Sequence, residues 1–198
     1  MGRIVLASGS PTRVRLLENA GLRFTATAAA VDERTVEKPL RDRGATSAEI
    51  AAAMAAAKAL AVSTSQKDAL VIGADQVLDL DGRQWSKPAS RDAARAQLHA
   101  LSGKTHSLVS AVAAARRGEV VWRYMAEARL TMRSLTDADI EAYLARVGDA
   151  ALKSVGTYQI EGPGIRLFER IDGDYFTILG LPLLPLLAFL RQHGEIDP

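Results

Sequence analysis

Apolar residues along the chain recur in two rhythms, and each predicts a kind of element. Short unbroken runs at Ile4–Ala7 and Ala69–Ala74 have the form of buried strands. Val77–Leu80 continues the second run towards Asp81-Gly82, a hairpin signal. Ser107–Ala115 and Val120–Thr131 predict two long antiparallel strands around Arg116-Arg117-Gly118. Arg23–Val31 predicts another strand, and Ile165–Arg170 and Tyr175–Ile178 predict two more on either side of Asp172-Gly173. Helical spacing follows Pro11, through Leu16, Leu17 and Ala20. Thr46-x-x-Glu49 is a capping box heading an alanine-rich helix to Ala61, and Thr136-x-x-Asp139 heads another to about Arg146. Ser90 caps a helix over Arg91–Leu101, and a final helix over Leu183–Gln192 follows Pro182. The polar segment Asp32–Ala45 predicts a loop.

Helices and strands are interspersed, and some strands are joined by hairpins. The expected class is therefore a mixed α/β sheet with flanking helices, not a strict parallel βαβ series. There is no internal repeat and no evident linker, so residues 1–198 are expected to form one domain.

Composition narrows the function classes. Lys and Arg number 25 against 23 Asp and Glu, a net charge of +2, and no run of like charges forms a nucleic-acid arm. The absence of cysteine excludes disulfides, thiolate-bound zinc and a cysteine nucleophile, and fits a reducing cytoplasm. The first residues enter a strand pattern directly, without the zones of a signal peptide. The apolar stretch Ile178–Leu190 is broken by Gly180, Pro182 and Pro185, so no membrane partner is expected.

Candidate chemistry collects at predicted element boundaries. The first strand runs into Ser8-Gly9-Ser10-Pro11-Thr12-Arg13 at a helix start, where unpaired N–H groups attract anions. The same pattern is also that of a plain N-cap at Ser10 with Arg13 in solvent. Asp75 follows the buried run Ala69–Ala74, where a carboxylate can hold a divalent cation, orient a water or merely cap a turn. Asp32-Glu33 is a second acidic pair. Lys58 lies in an apolar helical stretch, Lys87 in the turn Trp85-Ser86-Lys87-Pro88, and Lys153 further on. Cations for phosphates, with carboxylates for a metal and an attacking water, are what phosphoryl chemistry requires. The phosphate loop G-x-x-x-x-G-K-[ST], the dinucleotide fingerprint and G-x-S-x-G are all absent, and His99, His106 and His193 lack zinc spacing. Glycines around Glu161, in Gly156–Gly164, would let backbone approach a ligand while Glu161 accepts from a base edge.

Eight ordered segments span nearly the whole chain: Leu6-Ala7-Ser8-Gly9-Ser10-Pro11, Asp32-Glu33, Ala57-Lys58-Ala59, Gly73-Ala74-Asp75-Gln76-Val77, Lys87-Pro88, Leu101-Ser102-Gly103-Lys104-Thr105-His106, Glu161-Gly162 and Gly180-Leu181-Pro182-Leu183. Taken together they resemble the Maf family of nucleotide pyrophosphatases. The resemblance implies an elongated mixed sheet with a deep cleft between two lobes. It implies hydrolysis of a nucleoside triphosphate to monophosphate and pyrophosphate, assisted by a divalent cation, Mg²⁺ or Mn²⁺. It makes Asp75 the general base, Ser8, Ser10, Arg13, Lys58 and Lys87 the phosphate side, and Glu33 with Asp75 the metal side. The sequence does not separate base from metal ligand at Asp75.

Thr12, Gln76 and Glu161 fall where the family's subgroups differ. The dTTP/UTP group resembles Arg, Thr and Gln there, and the 7-methyl-GTP group Trp, Gln and Glu, so this chain agrees with the second at two positions of the three. Ser86 departs from the family's glycine before the lysine, and Ser154-Val155-Gly156 from its usual alanine-glycine pair. The expected partner is a nucleoside triphosphate rather than polymeric nucleic acid, and a homodimer stays possible. Two alternatives remain: a dTTP/UTP pyrophosphatase, and a nucleotide-binding regulator of cell division without turnover.

Overall fold

The computed structural model describes residues 3–197. Their elements are, in order, β1 (Arg3–Ala7), α1 (Pro11–Asn19), β2 (Phe24–Ala26), α2 (Glu33–Asp42), α3 (Ser47–Ser63), β3 (Ala69–Leu80), β4 (Arg83–Trp85), α4 (Arg91–Leu101), β5 (Thr105–Arg116), β6 (Glu119–Met132), α5 (Asp137–Val147), β7 (Phe168–Asp172), α6 (Tyr175–Ile178) and α7 (Leu183–Gln192). The strands hydrogen-bond in the order β2-β1-β3-β5-β6-β7, with β4 on β3. β1 runs parallel to β2 and β3, whereas β3–β4 and β6–β7 are antiparallel. The mixed α/β class expected from the sequence is the observed one.

The described residues divide into two compact units: residues 3–76, 109–127 and 174–197, and residues 77–108 and 128–173. β3, β5 and β6 each supply residues to both.

In the first unit the core is built on β1 and β3. Ile4, Leu6, Leu70, Ile72 and Ala74 on one face are buried with Leu17 of α1 and Leu186, Phe189 and Leu190 of α7. Val5, Ala7 and Val71, on the other face, are buried with Val62 of α3. Each fully buried Leu or Ile contributes roughly 1.5–3 kcal/mol. α3 lies unusually close to the sheet. A Cβ on Gly73 would stand 2.3 Å from the carbonyl oxygen of Ala55 and 2.6 Å from the amide nitrogen of Ala59, so only glycine fits.

In the second unit α4 and α5 bury Leu98, Leu101, Ile140 and Leu144. The hairpin into β4 turns at Asp81-Gly82, with φ 55° and 79°, as its Asp-Gly signal predicts. The Thr46–Glu49 and Thr136–Asp139 capping boxes both form.

Two segments differ from the sequence expectation. Asp32–Ala45, expected as a loop, contains α2, which buries none of its residues. Asp32 caps it, and Lys38–Asp42 and Arg41–Glu37 pairs brace it one turn apart. Tyr175–Ile178 is a helical turn instead of a strand, because Asp174 accepts hydrogen bonds from the Thr177 amide and hydroxyl. The strand expected over Arg23–Val31 covers only Phe24–Ala26, and that over Ile165–Arg170 begins at Phe168. Among the described residues no helix is long and apolar enough to cross a membrane.

Candidate active site

The first unit gathers its acidic candidates around one lysine. Lys58 Nζ lies 2.7 Å from Asp75 Oδ1 and 2.8 Å from Glu33 Oε1. Three local features place them. Gly73 admits α3 against β3, and Asp75, two residues on, projects from the same face of the strand. Lys58 extends from α3 to meet it. Glu33 opens α2 because Asp32 caps that helix, its two carboxylate oxygens accepting from the Arg34 amide at 3.1 Å and the Thr35 hydroxyl at 2.8 Å. Of the acidic pair, Asp32 is thus occupied by the helix end and Glu33 reaches the lysine.

Asp75 is not at a strand end, as the apolar run suggested, but within the continuous strand β3. What ends there is its neighbour. β1 stops at Ala7, opposite Gly73, and β3 runs on beyond it. The next carbonyl, that of Ala74, accepts from Arg13 Nη1 at 2.8 Å. Arg13 Nε donates to the Gly180 carbonyl at 2.8 Å, and Nη1 also lies 3.5 Å from Ser8 Oγ. Arg13 therefore clamps the backbone beside Asp75 and is not a solvent-facing arm. Gly180, with φ 89°, belongs to this clamp: its missing side chain leaves room for the guanidinium, 3.2 Å from the position a Cβ would take.

The two serines shape the turn into α1. Ser8 is buried, and its Oγ accepts from the Ser10 amide at 3.2 Å. Ser10 caps α1, accepting from the Arg13 amide at 3.4 Å. Thr12 follows in the first helical turn, half-buried.

Burial pushes the Asp75 carboxyl above the usual carboxylate range, with Lys58 and Arg13 opposing and Glu33 reinforcing. Burial alone would lower the Lys58 ammonium, but the facing charges of Asp75 and Glu33 outweigh it and the net direction is upward. Burial lowers Arg13, against the same two carboxylates. The arrangement is a carboxylate of heightened basicity, held ionised by a lysine.

Gln76 points to the other face of β3. Its Nε2 donates to Ser110 Oγ at 2.9 Å and to the carbonyls of Thr177 and Ile178 at 3.1 and 3.0 Å. Its donors are committed to the fold, so it can offer a ligand only its Oε1. Asp75 and Gln76 are thus neighbours in sequence but occupy opposite faces of one strand. Ser110 and Thr177, the anchors of Gln76, carry no sequence signal of their own.

Lys87, Lys153 and Glu161 belong to the second unit and are exposed. Lys87 follows Trp85, whose ring lies under Arg83 with Cζ 4.3 Å from the centroid. Glu161 rides on a tight turn closed by the Gly162 amide on the Gln159 carbonyl at 3.2 Å. The glycines around it serve the chain itself. A Cβ on Gly164 would stand 2.5 Å from the Gln159 carbonyl oxygen, and one on Gly156 2.6 Å from Leu78 Cδ1 and from Tyr158 Cε1. Gln97, buried in α4 and bound to both loops, is the residue the sequence analysis missed; a glutamine in an amphipathic helix has no distinctive pattern.

Comparison with known proteins identifies the family. The family model described as Maf-like protein matches residues 3–193. A 7-methyl-GTP pyrophosphatase of Brucella abortus is 55% identical over 195 residues, covering 98% of each chain. A 7-methyl-GTP pyrophosphatase of Rhizobium meliloti is 55% identical over 194 residues, again covering 98% of each. A nucleoside triphosphate pyrophosphatase of Paramagnetospirillum magneticum is 50% identical over 194 residues, covering 98% of this chain and 100% of that protein. The resemblance first read from eight short segments thus extends along the whole sequence, and the chain belongs to the Maf-like protein family.

Proposed function

We propose that this protein hydrolyses a nucleoside triphosphate to the monophosphate and pyrophosphate. The observation that carries the reading is the largely buried pair of Asp75 and Lys58, joined on the lysine by the exposed carboxylate of Glu33. Water attacks the α-phosphorus, a new P–O bond forms, and the bond to the bridging oxygen breaks as pyrophosphate leaves. Asp75 orients that water and takes its proton. Its raised pKa makes it a better base, while Lys58 keeps it charged at neutral pH. Arg13 fixes the backbone at Ala74 and so holds Asp75 in place. Ser8 and Ser10 accept hydrogen bonds from backbone, which leaves their hydroxyl hydrogens to donate to phosphate oxygens. Lys87 is assigned to the phosphates, and Glu161, Gln76 and Thr12 to the base.

A divalent cation fits the donor set. Glu33 and Asp75 are hard oxygen donors that already converge on one cationic atom, Lys58 Nζ. Mg²⁺ is commonly held by one or two carboxylates together with substrate phosphates, and Asp75 and Glu33 would supply the carboxylates. When bound, the cation neutralises phosphate charge.

The preferred base in this reading is guanine or its 7-methyl derivative. Glu161 can accept from two donors on a guanine edge, and relatives that are 55% identical carry the name 7-methyl-GTP pyrophosphatase. The absence of cysteine supports a reducing compartment, the cytoplasm. The test is purified protein with Mg²⁺ or Mn²⁺ and a panel of normal and modified triphosphates. Equal release of pyrophosphate and monophosphate is expected. Orthophosphate with diphosphate, or no product from any nucleotide, would overturn the proposal.

A further inference from the structure

Gln97 is buried in α4 and has two polar partners, on two different loops. Its Nε2 donates to the Ser86 carbonyl at 2.7 Å, and its Oε1 accepts from the Thr157 hydroxyl at 3.2 Å. The carbonyl can only accept, so the amide has a single orientation and both of its ends are used. Ser86 is bonded directly to Lys87. Thr157 lies four residues before Glu161, in the loop whose tip carries that carboxylate.

The Thr157 end is unusually constrained. Thr157 is β-branched, yet its φ is 71°, the left-handed region that such residues avoid. It is fully buried, and three neighbours hold the segment there. Tyr143 Oη donates to the Thr157 carbonyl at 3.0 Å, and Ser154 Oγ donates to the Tyr158 carbonyl at 2.7 Å. Tyr158 Oη meets His106 Nε2 at 2.6 Å. Gly164 then folds the chain back on Gln159. These contacts are made by buried or half-buried residues, while Glu161 at the tip is exposed. Strained backbone persists only where its surroundings over-determine it, and such places concentrate at ligand-binding segments.

From this geometry we infer that Gln97 is a positioning residue for substrate recognition, setting the loops of Lys87 and Glu161 as one piece. The inference rests on the proposed roles of those two residues. A glutamine that merely satisfied two stray polar groups would affect folding alone. One that sets the two loops must affect how the folded enzyme binds and discriminates nucleotides.

The test compares Gln97→Met, which keeps length and removes both hydrogen bonds, with Thr157→Val, which keeps the branched shape and loses the hydroxyl. Pyrophosphate release is measured with Mg²⁺ for 7-methyl-GTP, GTP and UTP, alongside thermal unfolding. Each variant is expected to raise KM about tenfold, the equivalent of one good hydrogen bond. Each should narrow the wild-type ratio of kcat/KM between guanine and uracil substrates by about threefold or more, with kcat within about twofold. The double variant should be no worse than Gln97→Met alone, because that substitution already removes the Thr157 bond. Thr157→Ser restores the hydroxyl and should restore KM. If both variants lower Tm while KM and the base ratio of the folded enzyme stay at wild-type values, the inference is overturned and Gln97 is structural only. Lys87→Ala and Glu161→Gln separate the two levels. If Lys87→Ala leaves KM unchanged, the underlying assignment falls and the inference with it. If both controls respond and Gln97→Met does not, the inference alone falls.

Discussion

The two units treat their candidate charges in opposite ways. In the first, Lys58 and Asp75 are only 14% and 15% exposed, stand on a helix and a strand, and neutralise each other. In the second, Lys87 and Glu161 are exposed on loops, and what is buried beneath them is a neutral network of Gln97, Thr157, Tyr158 and His106. A buried charge needs a partner at hydrogen-bonding distance, and regular elements packed as closely as α3 on Gly73 fix that distance for Lys58 and Asp75. An exposed charge is solvated already, so its loop needs only to be held still, and uncharged hydrogen bonds suffice for that. On the proposed roles the first unit serves chemistry and the second recognition. Perturbing them should give different signatures: loss of turnover in one, loss of affinity and discrimination in the other.

The largest expected effect is at Asp75. Asp75→Asn preserves shape but cannot take a proton, and it should reduce kcat by about 100-fold to 10,000-fold. Nucleotide binding and the thermal transition should persist, because Lys58 keeps Glu33 as a partner. A variant retaining more than about a tenth of the wild-type kcat would show that Asp75 is not the base.

The neutral network predicts a pH effect with a definite sign. Burial holds His106 down to about 4, from an ordinary value of 6.5. Between those values the unfolded chain binds a proton that the folded protein refuses. The stability associated with neutral His106 is therefore complete above pH 6.5 and is lost progressively as pH falls towards 4. Its full size is about 3 kcal/mol. Unfolding midpoints in urea measured from pH 7 to pH 4 should fall more steeply for wild type than for His106→Gln, which can still bond Tyr158. Parallel slopes would remove His106 as the cause.

Much of this architecture is legible in the sequence, and the exceptions have physical reasons. α3 and α5 announce themselves through capping boxes that form as written, and the turn at Arg117-Gly118 has φ 53° and 81°, as a hairpin of that composition needs. α2 has no buried stripe, so apolar periodicity cannot reveal it; its signals are the Asp32 cap and charge pairs four residues apart. α6 is set by Asp174 and Thr177, a local cap that outweighs the strand-like run Tyr175–Ile178. At the site, the residue types around Asp75 were legible as a set. Their partners were not: Lys58 and Asp75 meet across 17 residues, and Arg13 and Gly180 across 167. The division of Asp75 and Gln76 between two faces follows from strand alternation alone.

A smaller effect, but a sharp contrast, is expected at two glycines. Gly73→Ala forces a Cβ against the backbone of α3 at 2.3 Å, where no flexible side chain can yield. It should cost about 1–3 kcal/mol in urea unfolding and reduce kcat, since moving α3 moves Lys58 away from Asp75. Gly162→Ala, next to Glu161, meets nothing closer than 3.8 Å and has a negative φ of −132°. It should leave both stability and kcat near wild type. Equal losses at the two glycines would mean that close packing is not what distinguishes the units.

The smallest effect is expected in base choice, because Glu161 is exposed and water competes for its hydrogen bonds. A guanine edge offers N1–H and the 2-amino group, two donors that one carboxylate accepts together. A uracil or thymine edge offers carbonyls beside a single N–H, so Glu161 would set acceptor against acceptor. Glu161→Gln gives one acceptor and one donor and removes that conflict. The ratio of kcat/KM for GTP or 7-methyl-GTP over UTP should fall by about threefold to tenfold, with kcat on the guanine substrate little changed. Gln76 cannot compensate, since its Nε2 is held by Ser110, Thr177 and Ile178, leaving only an acceptor to offer. If wild type already hydrolyses dTTP or UTP faster than any guanine nucleotide, Glu161 does not read the base in this way. The second unit's contribution would then reduce to the cation at Lys87.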